Sequence, residues 1–283
     1  MVDVAIINYD QNKLLEKCAA SILNSENAGN LLSSLIVRNT GNPYAPSFPA
    51  VVVNGGNVGY GAACNECARL CGAPYLLFLN SDLILKKDAL HIAFRLMESR
   101  SDCGICGTSL EYENGRVQPS KMAFPTAKDL LERTTGRNRG YALSDQTQTG
   151  TADWVLGAFL LVRREAFEAV GGFDETFFLY FEEVDLAMRM KAASWKCLYS
   201  AEARAVHFCG GAGGVSSFCL RHLARSRLVY AHRYFSRNDY AAIRRKTLFV
   251  EPVLRFGNAL ITGQNPFGAF MAPIKGAALA KKR

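Results

Sequence analysis

Short apolar runs rich in valine, isoleucine and leucine alternate along the chain with stretches whose apolar residues recur every three or four positions. The first run, residues 2–8, ends in polar Asn8-Tyr9-Asp10, and the spacing of Leu14, Leu15, Cys18, Ala19 and Ile22 predicts a helix over 12–24. Residues 35–37 and 50–53 predict two further strands, each closed by turn residues, and a helix follows over 60–71. Residues 75–79, Y-L-L-F-L, show no polar alternation, which predicts a strand covered on both faces and ending at Asn80-Ser81-Asp82. Downstream, the pattern predicts a helix over 87–99, a strand over 104–112, a strand over 154–162 containing Gly157, and a helix over 164–170. Strands over 195–199 and 205–207 follow. Strand–helix–strand repetition at this pace predicts an α/β fold with a parallel sheet and helices on both sides. In such sheets ligands bind beyond the carboxyl ends of the strands, where Asn8, Asn39, Asn57 and Asp82 fall.

Residues 113–150 are polar and lack periodicity, which predicts a surface excursion or flap. Helices fill the chain after the glycine-rich run 210–214. Those over 249–261 and 267–279 are weakly amphipathic, with Phe256, Phe267, Phe270 and Met271 close to basic residues. There is no internal repeat.

Composition narrows the class. A hydrophobic share of 49% and a charged share of 20% in 283 residues belong to a folded globular chain with room for a full core. The net charge of +8 is concentrated in the last third, from Arg221, Arg225, Arg227, Arg233 and Arg237 to Lys281-Lys282-Arg283. Such a patch suits anionic lipid or a phosphorylated substrate. Nothing resembles a nucleic-acid reading helix or a base-stacking platform. The opening Met1-Val2-Asp3-Val4 runs straight into a strand, so no export leader is expected, and nine cysteines then predict reduced thiols. No apolar run approaches the roughly 20 residues that span a bilayer. Cys64/Cys67 and Cys103/Cys106 form two C-x-x-C pairs, read as small buried thiols in preference to a zinc site.

The chain turns on residues 171–189. Gly171-Gly172 permits a tight turn, an aromatic run follows over 177–181, and Glu182, Glu183 and Asp185 arrive within four residues at a predicted helix start. Acids suit a helix N-terminus on electrostatic grounds alone. The apolar wall before them also supplies surroundings that raise a carboxyl pKa and make it a usable base. Two other stretches sit at strand ends. Asn57-Val-Gly-Tyr-Gly at a strand-to-helix turn is neither G-x-G-x-x-G nor a P-loop, and an ordinary tight turn accounts for it. Asp82, closing a buried strand, suits a hard divalent cation, or else an Asx turn. His207, beside the 210–214 glycines, is a structural strand-end histidine or a second ligand of the same cation.

Taken together, V-A-I-I-N-Y at 4–9, N-V-G-Y-G-A-A-C-N at 57–65, L-N-S-D at 79–82, G-A-F-L-L-V-R-R-E-A-F at 157–167, G-G-F-D-E-T-F-F-L-Y-F-E-E-V-D-L at 171–186 and H-F-C-G-G at 207–211 resemble family 2 glycosyltransferases. These are inverting enzymes of the GT-A fold, and the likeness is to the rhamnosyltransferase-like branch that builds bacterial cell-surface polysaccharides. The resemblance covers residues 1 to about 235. It implies a GT-A domain over 1–235, with a nucleotide-sugar-binding half (1–112) and an acceptor and catalytic half (151–215), and a basic helical segment over 236–283.

The resemblance further implies Mg²⁺ or Mn²⁺ held by Asp82 and His207, and Glu183 as general base with Asp185 as the fallback. Donor and acceptor contacts would come from Asn8, Tyr9, Asn39, Asn57, Gly59, Gly61, Asn80, Trp154, Gly157 and Glu182, with Arg225 and Arg227 facing the diphosphate or a lipid phosphate. The implied donor is dTDP-rhamnose, with UDP-sugars open, and the acceptor a lipid-linked or growing glycan at the inner face of a membrane, to which a cytoplasmic enzyme would attach peripherally. Three residues depart from the family pattern: Arg38 stands for a common acid, Asn80 for the first acid of D-x-D, and Glu183 for aspartate. These departures keep open a competing class, a non-catalytic sugar-nucleotide-binding or scaffold protein on the same fold.

Overall fold

The computed structural model describes residues 1–132, 145–208 and 216–280. The glycine run 210–214 and Lys281-Lys282-Arg283 lie outside the described residues, as does the middle of the 113–150 stretch. The chain packs as two compact units. The first comprises the described parts of Met1–Ala123, Ala142–Asp174 and Glu183–Gly211, and the second those of Phe124–Tyr141, Glu175–Glu182 and Ala212–Arg283.

In the first unit the strands are β1 (Val2–Asn8), β2 (Leu32–Asn39), β3 (Val51–Asn54), β4 (Tyr75–Asn80), β5 (Leu83–Leu85), β6 (Cys103–Glu111), β7 (Val117–Gln118), β8 (Lys121–Met122), β9 (Gly150–Ala152), β10 (Trp154–Val155), β11 (Phe159–Arg163) and β12 (Lys196–His207). Its helices are α1 (Asn12–Leu23), α2 (Ala28–Leu31), α3 (Tyr60–Ala68) and α4 (Ala89–Glu98). The main sheet runs β3-β2-β1-β4-β11-β6-β12-β5, with β7 on β6 and β9 on β12. The first four strands are mutually parallel. β11 then enters antiparallel to both β4 and β6, so the sheet is mixed.

β4 is buried on both faces, as its unbroken apolar run predicts. Tyr75, Leu77 and Leu79 join the core that also holds Leu15, Cys18 and Ile22 of α1 and Leu90, Ala93 and Met97 of α4. Phe78 meets Phe167 and Phe173 with ring centroids 5.5 and 5.6 Å apart. Burying aliphatic and aromatic side chains on both sides, at roughly 1.5–3 kcal/mol each, holds this strand rigid and fixes where Asn80-Ser81-Asp82 emerges.

Three elements differ from the sequence pattern. The apolar run 154–162 is two strands, because Leu156 N–H bonds Ser120 O while Asn80 N–H bonds Ala158 O, and the chain changes partner at Gly157. The runs 195–199 and 205–207 form one twelve-residue strand whose polar middle is a bulge between Ser200 and Arg204. The chain after Asp82 forms the short β5, whose Leu83 pairs with His207. That pairing brings Asp82 and His207 to neighbouring positions, a closeness that nothing in the local pattern reveals.

The second unit contains α5 (Ala127–Glu132) and the C-terminal helices, which follow α6 (Arg164–Ala169) and α7 (Glu182–Ala192) in the chain. They are α8 (Ser217–Tyr234), α9 (Arg237–Arg245), α10 (Glu251–Thr262) and α11 (Pro266–Ala280), with a π-helical turn at Lys246–Val250. The Ser216 and Ser236 hydroxyls cap α8 and α9 by accepting from Cys219 and Asp239 N–H. α11 crosses α8 so closely that a Cβ at Gly276 would lie 2.3 Å from the Arg221 carbonyl oxygen. A small apolar core of Leu220, Ala259, Ala269 and Ala272 lies among these helices. Beside it sits a buried ionic group: Glu251 accepts from Arg227 Nη2 and, at 2.7 Å, from Arg255 Nε, and Arg227 also donates to Thr247 Oγ1. Among the described residues, no helix is long and apolar enough to cross a membrane.

Candidate active site

The carboxyl end of β4 is the fixed point. Asn80 N–H reaches Ala158 O, which places the Leu156–Ala158 break of the neighbouring strand against L-N-S-D. The Gly157 carbonyl accepts from Tyr60 Oη at 2.6 Å. On its other side Gly157 faces Glu183: a Cβ there would stand 3.5 Å from Glu183 Cβ and 3.8 Å from its carboxyl carbon. The Glu183 side chain thus lies one van der Waals contact from the position a side chain at 157 would take, at the end of the central sheet.

Glu183 is half-buried, and its Oε2 is buried without a hydrogen-bond partner. Burial pushes its carboxyl from the ordinary 4.5 up to about 7, against the opposing pull of backbone hydrogen bonds at Glu183, Val184 and Gly157. A carboxyl tuned to that value is charged enough to accept a proton near neutrality and basic enough to keep it. The approach to α7 is backbone that most side chains avoid: Tyr180 and Phe181 adopt φ of 67° and 68°, and two consecutive left-handed aromatic residues cost on the order of 1–3 kcal/mol each.

The two other acids of the cluster behave differently. Glu182 is buried as the first residue of α7. Asp185, the expected fallback base, is fully buried, and its Oδ2 accepts from Arg189 Nε at 2.8 Å. Arg189 Nη1 in turn donates to Val170 O and Gly172 O, both at 2.7 Å, and so clamps the Gly171-Gly172 turn, whose φ values are +77° and +73°. The Asp185 carboxylate thereby holds Arg189 at the clamped turn.

At the metal candidate, Asp82 and His207 meet with Oδ1 and Nε2 3.4 Å apart, both nearly buried. His207 Nδ1 stands 2.8 Å from Gln118 Oε1, which fixes the ring with its Nε2 toward the Asp82 carboxylate. A carboxylate and an imidazole on rigid strands suit a divalent ion that completes its shell with phosphate oxygens. Among the described residues, no group of three or more His, Cys, Asp or Glu side chains is placed to hold a metal ion by itself. The C-x-x-C pairs stand on separate elements, and burial pushes the Cys67 and Cys103 thiols up to about 12.

At the ends of β1, β2 and β3 the polar side chains are engaged with one another. Asn8 and Asn39 are fully buried and bond each other at 2.9 Å. Asn8 also donates to Asn12 Oδ1, and Asn39 to Asn54 Oδ1 and Asn42 O. These amides tie the ends of β1, β2 and β3 together. Arg38 is buried too: Nε donates to Glu66 at 2.5 Å, Nη1 to Asn39 O and Nη2 to Gly56 O. The chain has thus balanced the arginine with an acid of its own on α3. Arg38→Ala leaves Glu66 and two carbonyls unpaired and is expected to lower unfolding free energy by about 1–3 kcal/mol, read by urea denaturation. Exposed at this end are Tyr9 and Asn57, whose Oδ1 accepts from Gly59 N–H, while Gly61 is buried in the first turn of α3.

Trp154 is buried and its indole N–H donates to Ala123 O at 2.8 Å. Arg227, expected at a diphosphate, is committed to the buried Glu251 pair. Arg225 Nη1 donates to Thr176 O. Tyr60 and Gln118 carry no signal of a site in the sequence. Tyr60 lies inside a glycine motif whose interest is its backbone, and Gln118 in an aperiodic stretch.

The mixed α/β sheet thus carries a carboxylate just past the end of a central strand and a second, desolvated carboxyl against the glycine break of the neighbouring strand. A model of the family described as "Glycosyltransferase like family 2" matches residues 2–231, and the chain belongs to that family: it is a glycosyltransferase. It is 28% identical over 232 residues to the N-acetylglucosaminyl-diphospho-decaprenol L-rhamnosyltransferase of Mycobacterium tuberculosis, covering 73% of this chain and 76% of the relative. It is 27% identical over 206 residues to the rhamnosyltransferase WbbL of Escherichia coli, covering 69% and 74%. Among solved structures it resembles the mannosyltransferase PcManGT of Pyrobaculum calidifontis, determined with GDP-Man and Mn²⁺, at a TM-score of 0.56 and 14% identity over 99% of this chain and 80% of that one. GalNAc-T7, determined with UDP, GalNAc and Mn²⁺, gives a TM-score of 0.56 at 11% identity over 82% of this chain, which spans about half (49%) of that protein.

Proposed function

We propose that this glycosyltransferase moves a sugar, L-rhamnose from dTDP-rhamnose as the first choice, from a nucleoside diphosphate to a hydroxyl of a lipid-linked or growing cell-surface glycan, with inversion. The observation that carries the reading is the Glu183 carboxyl, desolvated to a pKa of about 7 and held against Gly157 beside the end of β4. The named activities of the two rhamnosyltransferase relatives support rhamnose as the sugar, and the diphospho-decaprenol substrate in the name of one supports a lipid-linked acceptor.

Glu183 accepts the acceptor's O–H proton as that oxygen attacks the anomeric carbon, and the bond to the diphosphate breaks with its electron pair leaving on phosphate. One positioned carboxylate contributes on the order of 10²–10⁴-fold to such a step. Asp82 and His207 would hold Mg²⁺ or Mn²⁺, which supplies charge neutralisation for the departing diphosphate when bound. Gln118 orients the His207 ring for that role, and Asp185 through Arg189 holds the turn that leads to α7.

A thermal-shift panel of dTDP-, UDP- and GDP-sugars with Mn²⁺, Mg²⁺ or EDTA tests the reading. One nucleotide class is expected to stabilise the protein in the presence of metal, and Asp82→Asn to remove the metal-dependent part of the shift. No shift with any donor contradicts the reading. Gln118→Leu is expected to weaken Mn²⁺ binding about 10–100-fold by calorimetric titration while leaving the melting temperature without metal nearly unchanged.

A further inference from the structure

The solvent side of α10 is apolar. Phe249 and Val250 of the preceding π-helical turn and Val253, Leu254, Leu260 and Ile261 of α10 fall on one stripe at spacings of one, three and four residues around a gap at Gly257. All six are exposed, Phe249 at 71% and Ile261 at 87% of their full surface. The opposite side of the helix is already occupied: Glu251, Pro252 and Ala259 are buried, and Phe256 packs against Phe267 and Phe270. Past the left-handed Gly263 that ends α10, Phe267 on α11 is again 73% exposed. A surface helix normally keeps its polar residues outward, so an outward row of this length marks a docking face.

Charge decides the occupant. Residues 236–283 carry nine Lys and Arg against two acids, a net +7 of the chain's +8. Both acids are engaged, Asp239 at the cap of α9 and Glu251 in the buried ion pair. Aliphatic and phenyl side chains in a row, set in a segment of one sign of charge, match the interface of an anionic bilayer, where apolar groups enter the acyl boundary and cations meet headgroups. A protein partner would need acids to answer those cations, and a second copy would bring seven like charges of its own.

We infer that Phe249–Ile261 and Phe267 form a monolayer-inserting surface that holds the enzyme on anionic membrane. The inference rests on the proposed membrane-linked acceptor only for its purpose, since its geometry is independent of the active site. Removing the tail at Glu251 is a poor test, because it also strips Arg227 of its buried partner. Exposed point variants in the full chain avoid this.

The full-length protein is floated with phosphatidylcholine vesicles, with and without phosphatidylglycerol, alongside the Leu260→Gln/Ile261→Gln double variant. Wild type is expected to bind the phosphatidylglycerol vesicles and to lose binding as salt rises. The double variant is expected to partition about 100-fold less, on the order of tenfold per withdrawn aliphatic side chain. Its metal-dependent donor shift should equal that of wild type. Equal flotation of the two proteins, or wild-type binding that ignores phosphatidylglycerol, overturns the inference. So does a wild type that fails to float but forms dimers the variant lacks, which would assign the stripe to a second copy. Flotation with no donor shift would instead count against the transferase reading and leave the docking face standing.

Discussion

Glu183→Gln is expected to lower the rate of sugar transfer about 10²–10⁴-fold while leaving metal-dependent donor binding intact, measured by nucleoside diphosphate release and thermal shift. The amide is isosteric and keeps the contact with Gly157, but it cannot accept the acceptor proton. In wild type, kcat/KM should climb with pH and level off above about 7, because the base works only when ionised. The same variant should be more stable than wild type at pH 8. A carboxyl whose pKa rises from 4.5 to about 7 on folding favours the native state fully only while protonated; that contribution is lost as pH climbs from about 4.5 through 7. Above neutrality the native state therefore carries a buried charge, and glutamine removes it, with a gain on the order of 1–3 kcal/mol. A loss of activity joined to a gain in melting temperature separates a desolvated base from a structural carboxylate, whose removal destabilises. If the variant melts lower at pH 8, Glu183 is holding the fold instead.

The largest loss of stability is expected at Glu251. Burial opposes its ionisation, but the Arg227 and Arg255 guanidinium groups outweigh burial and hold its carboxyl below the usual range. Glu251→Ala leaves Arg227 buried with half its partners gone, which should cost about 3–5 kcal/mol in denaturant unfolding. The double change Arg227→Met/Glu251→Leu removes both charges and should recover most of that loss, with Arg255 turning to solvent. A deficit in the double variant as large as in the single one would show that packing, not charge, accounts for the cost. Because the Glu251 pKa is depressed, its contribution is present above the unfolded value and fades as pH falls through the folded one. The C-terminal helices should accordingly loosen early in acid, visible as faster amide exchange there.

The parallel half of the sheet and its flanking helices were legible because apolar runs and helical periods are local signals. Val2–Asn8, Asn12–Leu23 and Tyr75–Asn80 appear within a residue or two of the pattern. The antiparallel entry of β11 left no local trace, since an apolar strand reads alike in either direction. The acids after the aromatic wall were legible as a cluster. Their different surroundings were not, because these depend on where Arg189 and Gly157 arrive from elsewhere in the chain. For Asn8, Asn39 and Trp154 the sequence points to the end of the sheet but does not show the partners their polar groups meet there. Polar groups at strand ends satisfy neighbouring backbone and amides before they meet a ligand. The apolar row on α10 read only as weak amphipathicity, since the local pattern does not show that charged Glu251 and Arg255 turn inward to a buried ion pair.

The central claim is a single carboxylate base acting opposite a departing diphosphate. The most direct measurement is the anomeric configuration of the transferred sugar, followed by proton NMR from the first turnovers with the donor that the thermal-shift panel selects. The account predicts inversion relative to the donor. Retention would contradict it, because it requires a second nucleophile that Glu183 alone does not provide.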